Sequence, residues 1–157
     1  MNMMIRSSIT IMALVFAGSA AAEVAQVGSN LPAITLADQF DKTCAVNTQT
    51  KVVIFSSDKA VDTMVSEYLS QQGGQKMQQN GMVYLADINK MPALVTKRFA
   101  MPKMRKLTFP ICLSKQANAL NHIPRQAGKA SVVKLDGLAV KSIGYASNKA
   151  QLEQLSK

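Results

Sequence analysis

Two cysteines are the residues of this chain with the most reactive side chains. Cys44 and Cys112 are its only thiols, and they stand 68 residues apart. An even number of cysteines is compatible with one disulfide in an oxidising compartment. The alternative is two separate buried thiols that behave as small apolar side chains. The sequence leaves both open, because it does not give the Cα–Cα distance that a disulfide requires.

Other groups that could do chemistry are sparse. His122 is the only histidine, and no C-x-x-C or H-x-x-x-H spacing accompanies it. We therefore predict no metal site and no cofactor, and a surface or half-buried position for His122. Asp87 follows an apolar run, and strand ends host ligands in open α/β sheets. A cap of the next helix is the interpretation we favour for it. No catalytic residue is assigned from these groups.

A basic stretch is the clearest positive signal. Between residues 88 and 135 there are ten Lys or Arg and no acidic residue, in a chain of net charge +9. Five of them fall within ten positions: Lys97, Arg98, Lys103, Arg105 and Lys106. One interpretation is a solvated face, and the other is a docking patch for an acidic protein partner or an anionic lipid surface. We expect no nucleic acid partner, because aromatic residues for base stacking are few.

The first 22 residues have the pattern of a signal peptide. Arg6 gives a positive start, residues 9–17 are apolar apart from Thr10, and Ala20-x-Ala22 fits a cleavage site. We predict cleavage before Glu23, a periplasmic location and one domain over residues 23–157. An uncleaved N-terminal anchor is the alternative. No later segment is long and apolar enough to span a membrane.

Alternating strands and helices must position these groups. Hydrophobic patterning predicts parallel pairing in a sheet, with antiparallel hairpins at the two ends of the domain. The expected elements are a hairpin of 34–36 and 44–46, a buried strand 51–55, a helix ending at Gly73-Gly74, a strand 81–86, a helix 91–100, a short strand 108–113, helical turns in 116–123, a hairpin of 130–135 and 138–143, and a last helix capped by Asn148.

Two finer features are predicted from turn and helix chemistry. Asp136-Gly137 favours a type I′ turn in the last hairpin, because glycine adopts the positive φ that this turn needs. Pro102 is expected to end or kink the 91–100 helix, because proline lacks the backbone N–H that a helix interior uses.

This order of elements resembles the thioredoxin-like superfamily, in its peroxiredoxin and periplasmic thiol-disulfide oxidoreductase branches. The segments that carry the resemblance are Val27-Gly-Ser-Asn-Leu-Pro32, Val52-Val-Ile-Phe55, Phe109-Pro-Ile-Cys-Leu113 and Val132-Val-Lys-Leu-Asp-Gly137. The resemblance extends over nearly all of residues 27–157. The resemblance implies an α/β thioredoxin-like mixed sheet with an N-terminal β-hairpin and flanking helices.

Two departures from the family affect the expected function. The family's redox cysteines, or a peroxiredoxin's peroxidatic motif, map to residues 56–63, which contain no cysteine. The family's cis-proline maps near Gly128, and Pro124 stands four residues too early. A thiolate activated by a helix N-terminus needs its cysteine at that terminus.

We therefore expect a thioredoxin-like protein without the redox-active pair, acting as a non-catalytic binding or scaffold module. One alternative is an atypical thiol-disulfide oxidoreductase or peroxidase-like enzyme that uses Cys44 or Cys112. The other is a basic protein associated with a membrane surface.

Overall fold

A seven-stranded mixed sheet forms the centre of the domain, in the strand order β2-β1-β5-β4-β3-β6-β7. The computed structural model describes residues 22–157, so the predicted signal peptide lies outside the described residues except for its last position. The strands are β1 Ile34–Ala37, β2 Thr43–Val46, β3 Val52–Ser56, β4 Met82–Asp87, β5 Cys112–Ser114, β6 Ala130–Asp136 and β7 Ala139–Ala146. The helices are α1 Lys59–Gln72, α2 Gly74–Gln79, α3 Ala93–Val95, α4 Met101–Met104 and α5 Lys149–Ser156, with a π-helical turn over Thr96–Ala100. The predicted fold class is confirmed.

Strand pairing follows the prediction from the sequence. β3 pairs with β4, and β4 with β5, in parallel. The hairpins β1–β2 and β6–β7 are antiparallel, and β6 joins the sheet by antiparallel pairing with β3. All five residues of β3 are buried, which is why its sequence is a continuous apolar run rather than an alternating one.

The sheet separates two apolar clusters. Ile54 and Tyr84 belong to the cluster on the side of α1 and α5, whereas Phe55 and Cys112 belong to the cluster on the other side. α1 begins where the Asp58 side chain accepts a hydrogen bond from the backbone N–H of Val61, and it ends at Gly73. The carboxyl end of β3 is thereby fixed to the start of α1.

The last hairpin turns one residue later than predicted. Asp136 pairs with Ala139, so the two central turn residues are Gly137 and Leu138. Both have positive φ, +56° and +78°, as a type I′ turn requires. The turn type was predicted correctly, but Asp136 is the last residue of β6.

The helical arm over 93–104, comprising α3, the π-helical turn and α4, differs from the prediction. Pro102 does not end it, since Pro102 lies in the first turn of α4, which runs on to Met104. Just before Pro102, Met101 donates its backbone N–H to the carbonyl of Thr96, the wide spacing of a π turn. The chain thus changes its hydrogen-bond register immediately before the residue that has no N–H to donate. Residues 116–123, in contrast, form turns rather than a helix.

Candidate functional site

Cys44 and Cys112 are joined in a disulfide, with their Cα atoms 5.4 Å apart. Cys44 lies in β2 and Cys112 in β5, and β1 stands between these strands in the sheet order. Strands two places apart in a flat sheet would be about 9–10 Å apart. The β1–β2 hairpin therefore twists towards β5, and this long-range geometry is what brings the two sulfur atoms together.

The two cysteines differ in burial. Cys112 is 0% exposed and pairs across the sheet with Leu85, which in turn pairs with Phe55. These three residues are members of one apolar cluster, and the half-buried Cys44 packs against it. One cysteine of the disulfide is thus fully buried in the core, and the other is only partly buried.

A buried glutamine holds the hairpin in this position. Gln39, in the β1–β2 turn, is 0% exposed. Its Nε2 donates to the carbonyl of Phe109 at 2.8 Å, and its Oε1 accepts from the backbone N–H of Ile111 at 2.8 Å. Arg105 Nε donates to the carbonyl of Gln39 at 2.8 Å. The hairpin turn is therefore fastened to the segment that leads into β5 and Cys112.

We call these contacts of Gln39 the Gln39 clamp. Nothing in the sequence indicates them. A glutamine in a polar turn is ordinarily a solvated residue, and nothing local in the chain marks Gln39 as buried. Only the tertiary pairing of the turn with residues 104–111 explains it.

The junction of β3 and α1, where the family's cysteines map, contains a hydrogen-bonded polar cluster. Ser56 is fully buried, donates to the Asp62 carboxylate and lies 2.7 Å from the hydroxyl of Tyr84. Tyr84 donates to the same carboxylate oxygen at 3.2 Å. Burial raises the pKa of Asp62 above its usual 3.8, although the bonds from Ser56 and Tyr84 oppose this. Burial, followed by the charge of Asp62, raises the pKa of Tyr84 well above 10.

Asp87 does not cap the next helix, so that prediction is wrong. α3 has Pro92 at its N-cap position, whereas Asp87 accepts from the backbone N–H of Asn89 at 3.2 Å and pairs with Arg125 at 3.5 Å. The Arg125 guanidinium lies 4.7 Å from the centre of the Phe55 ring. Asp87 thus orients a cation over the apolar cluster that contains Cys112.

His122 is half-buried, and its Nε2 has no hydrogen-bond partner among residues 22–157. Burial, followed by the charge of Arg125, lowers its pKa below 6.5. No group of His, Cys, Asp and Glu side chains suited to a metal ion occurs among residues 22–157. A cleft of about 950 Å³ lies between the C-terminal parts of α1 and α5 and the β6–β7 turn, and neither cysteine lines it.

All five residues of the predicted docking patch are exposed. Lys97 and Arg98 lie in the π-helical turn, Lys103 lies in α4, and Arg105 and Lys106 follow it. Arg105 is the exception in its contacts, because it binds the β1–β2 turn at Gln39 and Asp41. In the part of the chain that the structure describes, no helix has the length and apolar character needed to cross a membrane.

Comparison with solved structures shows the fold. Peroxidoxin BcpB from Mycobacterium tuberculosis superposes with a TM-score of 0.56 at 11% identity, over 83% of this chain and 93% of that one. A thiol:disulfide interchange protein of the thioredoxin family from Chlorobium tepidum gives 0.56 at 12% identity, over 85% and 97%. StoA from Bacillus subtilis gives 0.55 at 13% identity, over 80% and 97%. The domain therefore has a thioredoxin-like fold.

No protein-family model and no curated protein matches the chain. The likeness at these identities extends to the fold alone, so the function has to be inferred from this chain's own residues.

The expectation of a non-catalytic binding or scaffold module is wrong. It rested on the missing cysteines of residues 56–63, and so on the assumption that the chain has no redox pair. The structure instead joins Cys44 of β2 to Cys112 of β5 in a disulfide. The sequence could not reveal it, since the two cysteines come from strands that are not neighbours in the sheet.

Proposed function

We propose that the protein is a thiol-disulfide oxidoreductase whose redox centre is the Cys44–Cys112 pair. The observation that carries this proposal is the disulfide that joins half-buried Cys44 to fully buried Cys112 in a thioredoxin-like domain. A disulfide in which one cysteine is only half-buried, with a second cysteine held where it can displace a bound substrate, provides the two parts that thiol-disulfide exchange needs.

Exchange with a dithiol substrate takes two steps. A substrate thiolate attacks Sγ of Cys44, the disulfide breaks, and Cys112 leaves as a thiolate that takes up a proton. The second substrate thiolate then attacks the substrate sulfur of the mixed disulfide and releases Cys44, which is protonated in turn. Two electrons pass from the substrate dithiol to the protein, and the protons lost by the substrate equal those gained. A disulfide of a second partner reoxidises the pair by the reverse reaction.

We further propose that this exchange takes place in the periplasm, after cleavage of residues 1–22. The signal-like pattern supports export, and a disulfide persists in an oxidising compartment. Cell fractionation together with intact mass tests this, with Glu23 expected as the first residue of the periplasmic protein. A cytosolic protein that retains residues 1–22 would contradict it.

Single-cysteine variants test the roles of the two sulfurs. Cys112→Ser leaves the half-buried thiol, and we expect it to form a mixed disulfide with oxidised glutathione at least about tenfold faster than Cys44→Ser does. The adduct is counted by intact mass over time. In guanidinium chloride, where both thiols are exposed, the two variants should react at similar rates. Equal rates in the folded proteins would overturn the assignment of Cys44 as the attacked sulfur.

A further inference from the structure

The helical arm over 93–104 has an unusual outward face. Leu94 and Phe99 are each 67% exposed and Val95 is 40% exposed, although all three are bulky apolar residues. Other apolar residues of the arm do contact the core, because Met101 and Met104 pack against the cluster that contains Ile54. The arm thus contacts the core through partly buried methionines and leaves Leu94, Val95 and Phe99 exposed.

Cations surround these apolar side chains. Lys97, Arg98 and Lys103 lie on the arm and Lys106 follows it, all exposed. The pKa of Glu67 in α1 is lowered chiefly by Lys149, whose Nζ lies 2.6 Å from the Glu67 carboxylate, and also by the charge of Lys103. Among residues 22–157, these four cations form no salt bridge, so their charge is available to an external partner.

We propose that the arm is a docking surface for an anionic phospholipid membrane. Exposed Leu and Phe flanked by Lys and Arg is the composition of a helix that lies in the headgroup region, with apolar side chains inserted and cations on the phosphates. Leu94, Val95 and Phe99 are exposed on a helical segment. A fluid layer closes around such side chains without a preformed groove. This inference does not depend on the redox chemistry of Cys44 and Cys112.

A tryptophan reporter tests insertion directly. The chain has no tryptophan, so Phe99→Trp places one indole on the outward face. We expect a blue-shifted emission with vesicles of phosphatidylglycerol and phosphatidylcholine, and no shift with phosphatidylcholine alone. The shift should disappear in 1 M salt, where charges are screened over about 3 Å. No shift with the anionic vesicles, or the same shift with both lipids, would overturn the proposal.

Three variants without the reporter test which residues bind, by co-sedimentation with the same vesicles. The charge variant Lys97→Glu, Arg98→Glu, Lys103→Glu should partition on the order of a hundredfold less. The apolar variant Leu94→Ser, Phe99→Ser should lose at least about tenfold. The matched control Lys51→Glu, Lys134→Glu, Lys141→Glu changes the net charge by the same amount, but at the cleft beside the β6–β7 turn.

The control should keep most of the binding, because its charges lie outside the arm. Every variant keeps residues 1–22 unchanged, so binding through that segment would be common to all of them. Circular dichroism confirms folding, which surface substitutions rarely disturb. Equal binding by the charge variant and the wild type, or equal losses in the control and the charge variant, would overturn the proposal.

Discussion

The β3–α1 junction and the Cys44–Cys112 pair occupy opposite faces of one sheet. The junction contains Ser56, Asp62 and Tyr84 in a hydrogen-bonded cluster on the α1 side. The cysteine pair lies with the apolar cluster on the other side. In the family that the sequence resembles, the redox cysteines belong to the junction. Here the junction contains hydrogen-bonded polar side chains and no cysteine. The two cysteines lie instead where β2 approaches β5.

The difference between the two regions shows that the position of the redox cysteines in the family does not predict where the cysteines of this chain lie. A fold can keep its architecture while its reactive groups change place, so function has to be argued from the site. The junction is a continuous stretch of the chain, so its lack of cysteine is visible in the sequence itself. The pair depends on the twist of a hairpin and on the Gln39 clamp, neither of which any short motif encodes.

The largest expected effect is on the free energy of unfolding, and it comes from the Cys44–Cys112 pair. Loss of a disulfide that closes a 68-residue loop should lower the free energy of unfolding by about 4 kcal/mol on the chain-entropy account. Urea titration of Cys44→Ala, Cys112→Ala against the wild type measures the loss. The reduced wild type is the matched control, since it breaks the bond without changing a side chain. A loss under about 1 kcal/mol in both would show that the bridge contributes little to the fold.

Most of the architecture could be predicted because it is encoded locally. The buried run of β3, the β1–β2 hairpin and the Asn148 cap of α5 all follow from patterns within a few residues. The errors came from competition between local and tertiary signals. Pro102 was expected to end or kink a helix, but the helical arm does not end there, because a π-helical turn directly precedes Pro102 and α4 continues past it. Asp87 was assigned to a cap, but Arg125, 38 residues away, is its partner.

An intermediate effect is expected at the junction. Tyr84→Phe removes a buried hydroxyl that contacts Ser56 and donates to the Asp62 carboxylate, so it should cost about 2 kcal/mol of stability. The matched control is Tyr68→Phe, whose hydroxyl contacts only a neutral group in the described part, Ser156 Oγ at 2.7 Å, and should cost about 1 kcal/mol. Urea titrations of both variants give the comparison. Equal costs would mean that the charge of Asp62 adds nothing to the junction.

A smaller, pH-dependent effect follows from Asp62. Its folded pKa is raised by burial above the usual 3.8, so the folded state binds more protons than the unfolded state just above pH 3.8. Stability from this group is therefore present below that pH and is lost as pH rises through the folded pKa. The difference in unfolding free energy between Asp62→Asn and wild type should shift in favour of the variant over that window and then level off.

Urea titrations from pH 3.5 to 7 measure that difference, and Asp58→Asn serves as a second carboxylate control on the same helix. A difference that does not change with pH, or that shifts in favour of the wild type as pH rises, would contradict the direction assigned to Asp62.

The central claim is that the Cys44–Cys112 pair transfers electrons, and turnover tests it most directly. Purified wild type is mixed with a peptide disulfide and reduced glutathione, and the rate of peptide reduction is compared with that of Cys44→Ser, Cys112→Ser at a temperature where circular dichroism shows both proteins folded. The account predicts a rate for the wild type that rises in proportion to its concentration, and no rate above the glutathione background for the double variant. Identical rates for the two proteins would contradict it.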